Sequence, residues 1–344
     1  MKAMPVVAAV AAMMLAASAW GAELRLLTWS SYLSPKVVER FERETGVRVH
    51  VDTVTSYADL WTALEGGASG YDIAFPADFQ VRSLVTKGLV ERVFADRLPN
   101  FWNVEDVWRS RSLDPRNEYT VPHVWGTTAF VVDSAVYGGD ADTLSLLFDP
   151  PPEIAGRIVL LDSGYDMVQL ALVWLKLPRC SIRPEHFEQV AALLVPMLRR
   201  YPLADIDTSV DLLASGRYVL GVAWNGDALK ARQKRASLRY AYPREGSLVW
   251  TDVLVVPKGA PNRADALKFL SFMMRPEIAA MESNYNGYAN MVRGSEQYMS
   301  KPLLEAPEIV APIASSLEFF TYCENLAETQ QEMLWKRLRE KVGK

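Results

Sequence analysis

The stretch Val219-Leu220-Gly221-Val222-Ala223-Trp224-Asn225-Gly226-Asp227 decides how the chain is read. Its first five residues form an apolar run of strand length, and the run breaks at Asn225-Gly226 into an expected turn carrying one indole and one carboxylate. A strand ending this way presents an aromatic face and an acid at its carboxyl edge, where open α/β sheets hold ligands. The pair returns as Trp250-Thr251-Asp252, at the head of the apolar run 253–256. Two such pairs suit a cation carried on apolar carbon. A ring covers methylenes and attracts a nearby ammonium by about 0.5–2 kcal/mol, while a carboxylate takes charge-assisted hydrogen bonds. Each residue alone has a simpler use, since a Trp at a strand end is commonly core and an Asp after Asn-Gly commonly serves the turn.

Outward from this stretch, strands and helices alternate. Residues 24–27 read as a strand emptying into Thr28-Trp29-Ser30-Ser31-Tyr32, and Ser34-Pro35 opens a helix that stops at Gly46. The pattern continues with a strand at 47–54 whose Val47, Val49 and Val51 alternate with polar neighbours, a helix at 57–65 and a strand at 71–76. Ala77-Asp78-Phe79 then leads into a helix at 80–87. This alternation predicts a mostly parallel sheet with helices on both faces. The extended run 124–133, interrupted by Gly126, is too long for one short strand and suits a crossing between domains. Residues 157–161 form another strand, emptying into Asp162-Ser163-Gly164-Tyr165-Asp166. Helices follow from Val168 to Leu177 and from Pro184 to Arg200. The tail from Ala314 onward reads as a docked helix, with Leu326, Met333, Leu334 and Leu338 on one side.

With 344 residues, half of them hydrophobic, the chain can bury a large core and build two domains. A net charge of -4 removes the electrostatic argument for nucleic acid or an anionic membrane as partner. Lys2, the uncharged apolar stretch 6–17 and Ala17-Ser18-Ala19 mark residues 1–22 as a signal peptide, with cleavage after Ala19 or Ala22, and so predict a periplasmic protein. In an oxidising compartment Cys180 and Cys323 either pair or remain two buried thiols. The three histidines lack metal-ligand spacing, so no metal or cofactor is expected, and His123 reads as an ordinary half-buried residue.

In order and spacing these residues resemble the periplasmic polyamine-binding proteins of bacterial ABC importers. The resemblance runs through residues 28–33, 70–76, 121–128, 161–166, 215–217, 224–227, 250–252 and 286–290. It implies an α/β, two-lobed periplasmic-binding-protein fold of type II, each lobe a central sheet flanked by helices, with hinge strands crossing near Thr127 and near 246–250. Residues 23–126 with 250–300 would form lobe 1, and 127–249 with 301–344 lobe 2. Carried over position by position, Trp29, Ser30, Tyr32 and Phe79 would line the first lobe. Asp166, Asp227 and Asp252 would take ammonium groups, with Trp224, Trp250 and Tyr288 completing the aromatic box. The implied function is binding of a linear polyamine between closing lobes for a membrane permease, by a chain expected to be monomeric. The alternative is a polyamine sensor that signals to a membrane-bound cyclic-dinucleotide enzyme. Two positions depart from the family: an acid is common where Ser31 stands, and a serine where Ala77 stands. Asp78 would compensate if its side chain points inward. No nucleophile-elbow pattern or histidine near a nucleophile supports an enzyme.

Overall fold

The computed structural model describes residues 22–67, 69–109, 114–309, 319–320, 323 and 327–344. The expected signal peptide lies almost wholly outside the described residues, as do Leu326 and 310–318. Eleven strands occur among the described residues: β1 (Glu23–Trp29), β2 (Arg48–Val54), β3 (Ile73–Ala74), β4 (Thr120–Asp133), β5 (Ile158–Leu161), β6 (Leu203–Ala204), β7 (Leu220–Trp224), β8 (Leu238–Ala241), β9 (Ser247–Val255), β10 (Ala289–Asn290) and β11 (Phe319–Phe320). They join one sheet in the order β2-β1-β3-β9-β4-β7-β5-β6, with β8 and β10 on β4 and β11 on β9.

The centre of that sheet is the antiparallel pair β4 and β9, in which Gly126 faces Trp250 and Thr127 faces Val249. Strand β4 changes neighbours along its length. Val124 and Trp125 sit between β9 and β10, whereas Phe130 to Val132 sit between β7 and β8. The long apolar run therefore serves two halves of the sheet at once, and all of it except Trp125 is buried. The expectation of a mostly parallel sheet needs correcting. Pairing is parallel at both ends, β1 with β2 and β3, and β5 with β6 and β7, but antiparallel wherever β4 takes part and where β9 meets β3; β11 joins β9 in parallel. Period-2 patterning reports burial and is blind to strand direction, which is why the mixture was not legible.

Helices cover both ends. Pro35–Thr45 starts with proline at its first turn and ends on Gly46 in the left-handed conformation, φ 72°, and its Phe41 packs edge-on against Phe269 and Phe272 of the helix Arg263–Met273. At the other end Gly164–Trp174, Pro184–Arg200 and Ala327–Val342 pack on one another. Several local readings change. Asn225-Gly226 makes no turn but the first residues of a helix, Asn225–Lys234, with Asp227 in its opening turn. The strand enters the helix directly, and an acid near a helix N-terminus is favourable there. Strand β2 lies at the sheet edge, so Val51 is exposed rather than inward. In the tail, Phe319–Phe320 is a strand, and the helix begins at Ala327 with Leu334 and Leu338 buried but Met333 exposed. His123 is buried, not half-buried, between the rings of Tyr32 and Phe75.

Cys180 and Cys323 form a disulfide. It ties the chain just before the last helix to the loop between the helices 164–174 and 184–200, closing a span of 143 residues. Restricting the unfolded chain over so long a loop stabilises the fold by about 2–5 kcal/mol. The double variant Cys180→Ser with Cys323→Ser should therefore show a lower denaturant midpoint and a steeper slope, because the freed unfolded chain exposes more surface. An unchanged midpoint would show that the bridge is energetically idle.

Candidate functional site

The carboxyl ends of five strands deliver side chains to one place. After β1 come Trp29, Ser30 and Tyr32; after β2, Thr55, Ser56 and Tyr57; after β3, Asp78 and Phe79; after β5, Asp162, Ser163, Tyr165 and Asp166; at the end of β7, Trp224 and Asp227. Strand β9 crosses the middle with Trp250 and Asp252. The helix Pro276–Asn286 ends on Gly287 in the left-handed conformation, φ 83°, which turns the chain so that Tyr288 enters the same space.

Trp29, Tyr32, Tyr57, Trp224, Trp250 and Tyr288 wall a narrow cleft, together with Asp252, Asp162, Ser163, Thr55, Ser56 and Ile206. The rings meet edge to face, as aromatic quadrupoles prefer: Trp250 and Tyr288 at 5.0 Å, Trp29 and Tyr57 at 5.2 Å. Room for them is set by missing side chains. A Cβ at Gly126 would collide with the Trp250 indole, and one at Gly226 would lie 2.6 Å from the Tyr288 ring. Asp252 is buried, and Tyr32 Oη donates a 2.6 Å hydrogen bond to its Oδ2. Burial raises the Asp252 carboxyl from 3.8 to about 7, opposed by the Tyr32 bond and assisted by the nearby charge of Asp78. A carboxylate in this position is short of positive charge.

The remaining expected residues stand close by but in other relations to the cleft. Ser30 donates to Asp207, an exposed residue of the loop before the helix Ser209–Ala214. Phe79 stacks on Tyr165, centroids 5.0 Å apart, with Tyr57 edge-on against it. Asp166 and Asp227 are buried and do not line the cleft. Asp166 lies behind Trp224, whose Nε1 donates to its Oδ2 at 3.2 Å. Asp227 follows Gly226, the residue beneath the Tyr288 ring, and burial, partly offset by the charge of Lys230, raises its carboxyl to about 6. Among the described residues, no hydrogen-bond partner reaches the buried Asp166 Oδ1 or Asp227 Oδ2.

At the two departures, Ser31 is exposed in a left-handed turn, φ 53°. Ala77 is buried, and Asp78 is buried too, accepting a 3.2 Å hydrogen bond from Thr251 Oγ1. Asp78 thus turns inward but reaches Thr251 rather than the cleft surface. Sequence reasoning passed over Tyr57, Thr55, Ser56, Asp162, Ser163 and Ile206 as lining residues. The strand-end rule that found Trp29 also covers Thr55 to Tyr57, which follow β2. Among the described residues no group of three or more His, Cys, Asp or Glu could hold a metal, and no helix is long and apolar enough to cross a membrane.

Comparison with known proteins follows the same lines. Residues 36–311 match the family model for a bacterial extracellular solute-binding protein. The putrescine/agmatine-binding protein of Pseudomonas aeruginosa is 32% identical over 316 residues, covering 85% of both chains. The spermidine/putrescine-binding periplasmic protein of Salmonella typhimurium is 30% identical over 270 residues, covering 77% of this chain and 76% of its own. Among solved structures, a putative spermidine/putrescine ABC transporter from Listeria monocytogenes superposes with a TM-score of 0.84 at 26% identity, over 92% of this chain and 98% of its own. The expected two-lobed α/β binding-protein fold is the one these neighbours share.

The buried Asp252 carboxyl has a thermodynamic consequence. Its folded-state pKa lies above its ordinary value, so its contribution to stability is complete below about pH 4 and is lost as pH rises through about 7, by up to about 4 kcal/mol. Asp252→Asn should raise the melting temperature of the unliganded protein by several degrees at pH 8 and leave it nearly unchanged at pH 4. An equal or lower melting temperature at pH 8 would contradict the assignment.

Proposed function

The chain belongs to the bacterial extracellular solute-binding protein family, and from that premise we propose that it binds a linear polyamine in the periplasm and delivers it to the permease of an ABC importer. Spermidine, putrescine or a close relative is the proposed ligand class, as the names of its relatives suggest. The observation that carries the reading is the Asp252 carboxylate buried among Trp29, Tyr32, Trp224, Trp250 and Tyr288. At neutral pH an aliphatic amine is protonated, since it titrates near the lysine value of about 10. Its ammonium supplies the charge Asp252 is short of, and its methylenes lie against the rings. Asp166 and Asp227 act from behind Trp224 and beside Tyr288, adding negative potential to the same region. The family is one of solute-binding proteins, and the reading includes no catalytic step.

Two lobes are proposed to close on the ligand, residues 23–126 with 250–300 as one and 127–249 with 301–344 as the other. The strand order supports this division, with β2-β1-β3 on one side of the β9 and β4 pair and β7-β5-β6 on the other. Ser30 with Asp207, and Phe79 with Tyr165, are the contacts that would form on closure.

Calorimetric titration with spermidine and putrescine tests the site. Asp252→Ala should weaken binding by about 2–5 kcal/mol, because it leaves a desolvated ammonium unpaired. Trp250→Ala should cost at least the 0.5–2 kcal/mol expected of a cation over an indole. Undiminished affinity in the Asp252 variant would overturn the proposed site. Affinity in the native protein should rise between pH 6 and pH 8, as Asp252 loses its proton.

A further inference from the structure

Among the described residues, Asp252 shares the wall of the aromatic cleft with one other carboxylate, Asp162. A ligand charged at both ends leaves one ammonium uncompensated if Asp252 alone receives it. Asp162 follows β5 and Asp252 lies on β9, with β4 and β7 between those strands in the sheet. Asp162 also lines a second, larger cavity, which shares Thr55, Ser56 and Tyr57 with the cleft and is walled on its far side by the helix Ala327–Val342. It therefore stands at the junction of the two spaces.

The side chain is held from that helix. Trp335 Nε1 donates to Asp162 Oδ1 at 2.9 Å, and Arg339 Nη1 reaches Oδ1 at 2.9 Å and Oδ2 at 2.7 Å. The carboxylate is 14% exposed and the Arg339 side chain 34%. The helix is itself pinned. Gln331 donates to the carbonyl of Arg179 and accepts from Gln169, Glu332 accepts from the backbone N–H of Tyr165, and the Cys180–Cys323 bridge anchors the chain before its first turn. Such support fixes a binding carboxylate before the ligand arrives, which lowers the ordering cost of binding.

We propose that Asp162 receives the second ammonium of the bound ligand, oriented by Trp335 of the C-terminal helix, with Arg339 as its intramolecular competitor. This rests on the polyamine reading above. Asp166 and Asp227 suit the role less well, because they lie outside the cleft wall. In this arrangement Trp335 orients Asp162, and Arg339 competes with the ligand for it.

The test is calorimetric titration of the mature protein and its variants with putrescine and with spermidine. Asp162→Asn should weaken binding at least tenfold, and Asp162→Glu should restore it to within about threefold. Arg339→Gln keeps a hydrogen-bond donor but removes the competing charge, so it should bind more tightly than the native protein. Melting temperatures without ligand identify any variant that fails to fold, and the double variant Asp162→Asn with Arg339→Gln, which strands no buried charge, then serves in place of Asp162→Asn. Native-like affinity in Asp162→Asn, or an equal loss in Arg339→Gln, would overturn the proposal by showing a structural ion pair. Failure of the native protein to bind either amine would instead remove the polyamine reading on which it rests.

Discussion

Burying a carboxylate among aromatic rings is the constraint on which the rest of this molecule turns. Asp252 is withdrawn from water and receives a hydrogen bond from Tyr32, yet among the described residues no cation stands beside it to settle its charge. Left ionised and uncompensated, such a group opposes folding. The chain keeps it nonetheless, in a cleft walled by indoles and phenols that favour positive charge at their faces. Function and stability pull on this residue in opposite directions, as is common where a site is prepared for a ligand it does not yet hold.

What makes that placement possible is the pair of long strands at the centre of the sheet. β4 and β9 are shared by both ends of the molecule, and β9 carries Trp250 and Asp252 into the crossing. Opposite Trp250 the chain has Gly126, whose missing side chain leaves space for the indole, and Asn225 Oδ1 accepts the neighbouring Thr127 N–H. Gly226 does the same service for Tyr288. The aromatic box therefore depends as much on two absent side chains as on the rings themselves. Asn225 is also tied by its amide to the carbonyl of Glu308, which holds Arg232 through both carboxylate oxygens, so the floor of the cleft is braced from three segments of the chain.

Much of this was legible in the sequence. Helix boundaries followed from Ser34-Pro35 and Gly46, where proline and glycine leave little local choice, and the helix Pro184–Arg200 appears as read. Trp29, Tyr32 and Trp224 could be named in advance because strand ends cluster at one edge of an α/β sheet, Trp250 and Asp252 because they repeat the pairing of an indole with an acid, and Tyr288 only through the family resemblance. Elsewhere local rules competed and lost. Asn-Gly favours a turn, but after Trp224 the chain gains more by continuing into a helix that packs on the sheet. Strand direction, and which acids reach the cleft, depend on contacts between segments far apart in sequence. Asp162 and Asp166 are four residues apart in one motif, yet one lines the cleft and the other lies behind Trp224, a distinction that no spacing rule encodes.

The account is tested most directly by counting protons during binding. If a cationic ligand is received by the Asp252 carboxyl, whose proton leaves only near pH 7, then binding at pH 6 must expel close to one proton, about the protonated fraction of that group. Titration of putrescine or spermidine at pH 6 in buffers of different ionisation enthalpy measures this number. The account predicts a release that is large at pH 6, falls towards zero by pH 8 and disappears in Asp252→Asn. Binding with no buffer dependence at pH 6 would contradict it.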